Sequence, residues 1–103
     1  MNRIGVIQQM LTDNPEDVFL HYALAMEFMS IQNNTAAIEQ LEWIRHAQSD
    51  YLPLYYQLAH LYEAGGDNEK AIETYEAGIA LADTLNDHKT RGELRSALEE
   101  LTF

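Results

Sequence analysis

The sequence predicts an all-α fold of six helices arranged as antiparallel hairpins, and three observations carry that expectation. Apolar residues recur at helical spacing in successive stretches separated by polar breaks. An offset of 34 residues lays 18–51 over 52–85 without a gap. Neither unit shows the alternation that a half-buried strand requires. The composition fits one globular domain over residues 1–103, with 47% of residues apolar, 10% aromatic, two prolines and five glycines.

The first helix is expected over 2–13, where Ile4, Ile7, Met10 and Leu11 share one stripe; it stands where the second helix of a preceding unit would stand. The first full unit, 16–49, opens on Asn14-Pro15-Glu16-Asp17. That entry offers a cap, a proline for the first turn and two carboxylates for the positive helix end. Asn33-Asn34 supplies its internal turn. In the second unit, 51–84, Leu54, Tyr55, Leu58, Ala59 and Tyr62 form one apolar stripe and Ala71, Ile72, Tyr75 and Ile79 the next. Between them, Gly65-Gly66 suits the left-handed residue that ends a helix, and Asp67 or Asn68 caps the helix that follows. Matches at Leu20/Leu54, Tyr22/Tyr56, Leu24/Leu58, Ala25/Ala59, Ala37/Ala71 and Ile38/Ile72 tie the two units together. After Ala82 the period slips, and two extra residues restore it on Leu94, Ala97, Leu98 and Leu101. A last helix is expected over 88–102, with Lys89, Arg91, Glu93, Arg95, Glu99 and Glu100 forming the polar outer face of a terminal cap.

Tyr55-x-x-Leu58-Ala59-x-x-Tyr62 followed by Ala71-x-x-x-Tyr75 resembles the tetratricopeptide repeat signature, and His21-x-x-Leu24-Ala25-x-x-Phe28 with Ala37-x-x-x-Leu41 repeats it more loosely. Alanines 25, 37, 59 and 71 are small where helices cross, while Phe28, Tyr62, Leu41 and Tyr75 fill the space between pairs. His21 stands where the large aromatic usually does. Ser49 and Asp83 replace the closing proline, and Arg45 takes a usually apolar place. The first unit is therefore expected to be the less regular one. The resemblance implies an α-solenoid, a short right-handed superhelix whose inner face binds an extended peptide or a partner's helix.

One residue beyond the core stripe of each unit's first helix runs a second stripe: Phe19, Tyr22, Met26 and Met29, then Tyr56, His60 and Glu63. By helix geometry it faces the groove. Aromatic and methionine side chains there either anchor a partner or pack against the N-terminal helix. Family members that grip the carboxylate tails of heat-shock chaperones place lysine, arginine and asparagine in this groove. Here Tyr22 and Met26 stand at two of those positions and Gln57 at a third, leaving Lys89 as the groove cation. An acidic tail is thus disfavoured, and a basic or apolar ligand fits better. Trp43 either pads the N-terminal helix or marks a self-association patch.

Seventeen acidic against six basic residues give a formal charge of −11, a field that repels phosphate backbones and anionic membranes. No stretch approaches the roughly 20 apolar residues of a membrane span, and no signal peptide is visible. The start at Met1 is compatible with a complete chain, and a cytoplasmic location is expected. With no cysteine there is neither disulfide nor thiol nucleophile. His21, His46, His60 and His88 lack the i, i+4 pairing of a zinc motif, and Ser30, Ser49 and Ser96 lack a nucleophile elbow. Glu39, Glu42, Glu69, Glu73 and Glu76 read as a solvated face rather than a catalytic dyad. No cofactor is implied. The expected role is a non-enzymatic interaction scaffold; the alternatives are a homodimer using the same surface and a small acidic chaperone for a basic client.

Overall fold

Among residues 2–103, which the computed structural model describes, there are six helices and no strand: α1 Arg3–Asp13, α2 Val18–Ser30, α3 Asn34–Ala47, α4 Pro53–Ala64, α5 Asn68–Thr84 and α6 His88–Thr102. They fall into two compact units, Met1–Tyr51 and Leu52–Phe103.

Three of the connections follow one recipe. Ile31-Gln32-Asn33, Gly65-Gly66-Asp67 and Leu85-Asn86-Asp87 each place a left-handed residue in the middle, with φ of 61° at Gln32, 84° at Gly66 and 57° at Asn86. The amide of the third residue then reaches back to the preceding helix at 2.9 Å, to the carbonyls of Phe28, Tyr62 and Ala82 respectively. Those bonds satisfy helix-end carbonyls. The third side chain accepts from the amide three residues on, so Asn33, Asp67 and Asp87 are the caps of α3, α5 and α6. At Asp87 the Thr90 amide (3.0 Å) and hydroxyl (2.9 Å) also hold the carboxyl below its ordinary ionisation range.

The entry to α2 differs from the expectation. The cap is Asp17, which accepts from the Leu20 amide at 3.1 Å, and not Asn14. Asn14 instead ends α1, its amide bonded to the Met10 carbonyl, so Pro15 lies in the turn ahead of α2 and not in its first turn. Met10 is also misassigned by the stripe, being 48% exposed, whereas Ile4, Ile7 and Leu11 are half-buried. At the far end, Asp83 leaves α5 free to run on to Thr84 where a proline would have closed it, and its carboxylate lies 2.8 Å from Arg91 Nε. Arg91 is therefore half-buried rather than part of the polar outer face.

In the first unit α1 packs on α2 and α2 on α3 around Leu20, Leu24, Ala25, Ala37, Leu41 and Ile44. In the second, α5 packs on both α4 and α6, burying Leu54, Tyr55, Leu58, Ala59, Ala71, Thr74, Tyr75, Gly78 and Leu94. The two cores solve one packing problem differently. In the second unit the ring of Tyr55 is admitted by Gly78: a Cβ there would stand 2.8 Å from Tyr55 Cβ and 3.0 Å from Leu94 Cδ1. At the corresponding positions of the first unit are the smaller ring of His21 and the larger, fully buried Ile44. Volume removed on one helix is restored on the other, as close-packed interiors require.

Candidate protein-binding surfaces

In the first unit the cap at Asp17 starts α2 so that Phe19 turns away from the buried Leu20, Leu24 and Ala25. Phe19 is 70% exposed. Tyr22 is half-buried, its ring edge-on to Tyr51 at 5.5 Å between centroids, and Met26 and Met29 are half-buried farther along the helix. An ion pair of 3.4 Å joins Arg3 of α1 to Glu27 of α2.

Trp43 has a partner that the sequence does not announce. Its ring stacks on His21 at 3.7 Å and 21°. His21 Nε2 lies 2.8 Å from the Pro15 carbonyl and Nδ1 2.7 Å from the Gln40 amide group. Because a carbonyl only accepts, Nε2–H is the donor to Pro15. The histidine thus ties the turn before α2 to α3, and Trp43 covers its face.

In the second unit Tyr56 is 40% exposed and His60 exposed, their rings nearly parallel at 14° and 6.4 Å. Tyr75 meets Tyr56 edge to face at 6.2 Å. The Tyr75 hydroxyl donates to Glu63 Oε1 at 3.2 Å; burial first, and then that carboxylate, push its ionisation well above the ordinary tyrosine range. Tyr56 forms one wall of an open cleft of about 580 Å³, whose other wall is α6 through His88, Lys89, Gly92, Glu93, Ser96, Ala97 and Glu100.

Of the candidates read from sequence, Tyr56 and Lys89 share this cleft, whereas His60 flanks Tyr56 on α4. The contribution of Gly92, Glu93 and Glu100 was not foreseen. Glu93 and Glu100 flank the stripe of Leu94, Ala97, Leu98 and Leu101 and so carried some signal, whereas Gly92 lies on the side of α6 opposite that stripe, where the pattern gives none. No group of three or more histidine, aspartate or glutamate side chains able to hold a metal occurs among the described residues, and none of their helices is long and apolar enough to cross a membrane.

A family model described as tetratricopeptide repeat matches residues 52–84, the unit whose signature is the more regular. Among solved structures, the chain is 34% identical to a tetratricopeptide repeat domain protein from Salinibacter ruber seen in a crystal, across 84% of this chain and 96% of that one, with a TM-score of 0.79. A solution structure of a tetratricopeptide repeat domain protein from the same organism is 36% identical over 84% and 88% of the two chains, with a TM-score of 0.80. A protein from Bordetella parapertussis, at 20% identity, shares the fold over 99% of this chain and 89% of its own, with a TM-score of 0.87. No curated protein matches the sequence.

Proposed function

The chain belongs to the tetratricopeptide repeat family, whose repeats generally mediate protein–protein interaction, and from that premise we propose that it is a non-enzymatic binding module of the cytoplasm. On this reading 16–49 and 51–84 are the two repeats, 2–13 a half-repeat and 88–102 the cap. A peptide or partner helix, apolar or basic and not an acidic tail, is held through Phe19, Tyr22, Met26, Met29, Tyr56 and His60. The observation that carries the proposal is the exposure of two aromatic rings, Phe19 at 70% and Tyr56 at 40%, on the first helix of each repeat. Large rings left in water beside a complete core are the residues that interface cores recruit.

The test is affinity capture of partners from the native cell extract by the full chain and by a Tyr22→Ala, Tyr56→Ala double variant. Loss of a partner with little loss of thermal stability supports the reading, and lower salt should speed association if the partner is basic. Retained capture by the double variant rejects it. A concentration-independent dimer in light scattering that buries Tyr22 and Tyr56 would replace it with self-association.

A further inference from the structure

Gly92 is a glycine that nothing inside the chain explains. It sits within α6, where glycine weakens a helix relative to alanine. At Gly78 the close approach of Tyr55 requires the missing side chain, but a Cβ on Gly92 would meet no atom within 4 Å. Gly92 lies in the lining of the cleft between α4 and α6, together with the small residues Ser96 and Ala97. The helix thus offers a low floor on which another backbone can settle closely.

The rest of the cleft says what kind of chain would settle there. Tyr56 presents an exposed ring whose setting is fixed by His60 on one side and Tyr75 on the other. Two carboxylates, Glu93 and Glu100, line the cleft against one ammonium, Lys89, which stands one helical turn before Glu93. A third carboxylate, Glu63, receives the Tyr75 hydroxyl beside Tyr56. A planar, weakly hydrated cation satisfies both the ring face and the carboxylates, and a guanidinium does so better than an ammonium. An acidic segment would meet the carboxylates unfavourably, and a second copy would bring a formal charge of −11 to the same surface.

We propose that this cleft binds a basic peptide segment of a partner protein, an arginine lying on Tyr56 beside Glu93 and Glu100 while the peptide backbone passes over Gly92. The proposal rests on the interaction-module reading above and narrows its ligand class.

The test is a ¹H–¹⁵N NMR titration of the full chain with three Gly/Ser peptides of equal length carrying arginine, glutamate or leucine. The arginine peptide is expected to shift the amides of Tyr56, Gly92 and Ser96, and the glutamate peptide to leave them in place. Glu93→Gln with Glu100→Gln should weaken arginine-peptide binding by about tenfold or more. Glu39→Gln with Glu76→Gln, the same change of charge at exposed sites outside the cleft, should alter it by less than about twofold. Gly92→Ala should weaken binding while raising the melting temperature, which separates a lost contact from a lost fold. Equal losses in the two glutamine pairs would reduce the effect to the overall field and overturn the site. Shifts caused by the leucine or glutamate peptide instead of the arginine one would overturn the ligand class while leaving the interaction module standing. Concentration-dependent shifts at these amides without peptide would assign the cleft to a second copy. No shift with any peptide rejects the cleft, and the Tyr22/Tyr56 capture experiment then decides the module separately.

Discussion

Replacing each of the two buried or cleft-lining glycines of the second unit by alanine should move stability in opposite directions. At Gly78 the added Cβ would stand 2.8 Å from Tyr55 Cβ, 3.0 Å from Leu94 Cδ1 and 3.3 Å from Tyr55 Cγ. Carbon atoms in contact prefer about 3.5–4.0 Å, so the nearest pair is overlapped by close to an ångström. Leu94 can give way by rotating, but Tyr55 Cβ is fixed to the α4 backbone, and relief there means moving a helix. Overpacking of this kind costs about 1–3 kcal/mol. Alanine returns about 1 kcal/mol of helix propensity, which does not offset the upper part of that range. The expected net loss is up to about 2 kcal/mol, a fall of up to roughly 10 °C in melting temperature for a chain of this size. At Gly92 no atom opposes the new methyl, so the same substitution should gain about 1 kcal/mol, or roughly 4–8 °C. Thermal unfolding followed by circular dichroism at 222 nm measures both. Equal stabilisation by the two substitutions would refute the close approach of α4 and α5 at Gly78.

Tyr75→Ala should cost on the order of 3–5 kcal/mol, since the ring is only 1% exposed, and a loss below about 1 kcal/mol in denaturant titration would mean that the repeat register is wrong. Burial and Glu63 raise the ionisation of Tyr75 above the ordinary value of about 10, so the unfolded chain releases that proton first; stability is intact below about pH 10 and falls above it, and alkaline melts of Tyr75→Phe should fall less. Deleting residues 88–103 removes Leu94 from Gly78 and uncovers α5, and light scattering should then show oligomers or aggregates; an unchanged, equally stable monomer would refute a capping role for α6. His21→Ala removes the bonds to Pro15 and Gln40 and the stack on Trp43, with an expected cost of about 2–3 kcal/mol and a red shift of emission from Trp43, the chain's one tryptophan.

The helices were legible because their ends are written in short-range chemistry. The Gly65-Gly66-Asp67 turn carries both the left-handed residue and the cap, and the stripe through Leu94 and Leu98 fixes the phase of α6. Short-range chemistry was also where the reading slipped: Asn14 and Asp17 are equally good caps by residue type, and only the bond from the Leu20 amide decides for Asp17. What stayed hidden depends on pairs far apart in the chain. His21 and Trp43 lie on different helices, and no local pattern distinguishes a histidine awaiting an indole from one facing water. The cleft is similar. Tyr56 could be picked out on α4 by its offset from the core stripe, but Gly92 and Glu100 gain meaning only once α6 stands across from it.

Tyr55 and Gly78 meet in the second repeat, and His21 and Ile44 hold the equivalent positions 34 residues earlier in the first. A chimera that moved α2 alone into the place of α4 would set His21 against Gly78 and leave a hole. The reverse exchange would drive Tyr55 into Ile44. Moving α2 together with α3 keeps each helix pair, but sets Ile44 in the place of Gly78, where Leu94 of α6 already stands close. The module that travels without repair is therefore α4, α5 and α6 together, and the crossover point that recombination or a designer can use lies in residues 48–52, between α3 and α4.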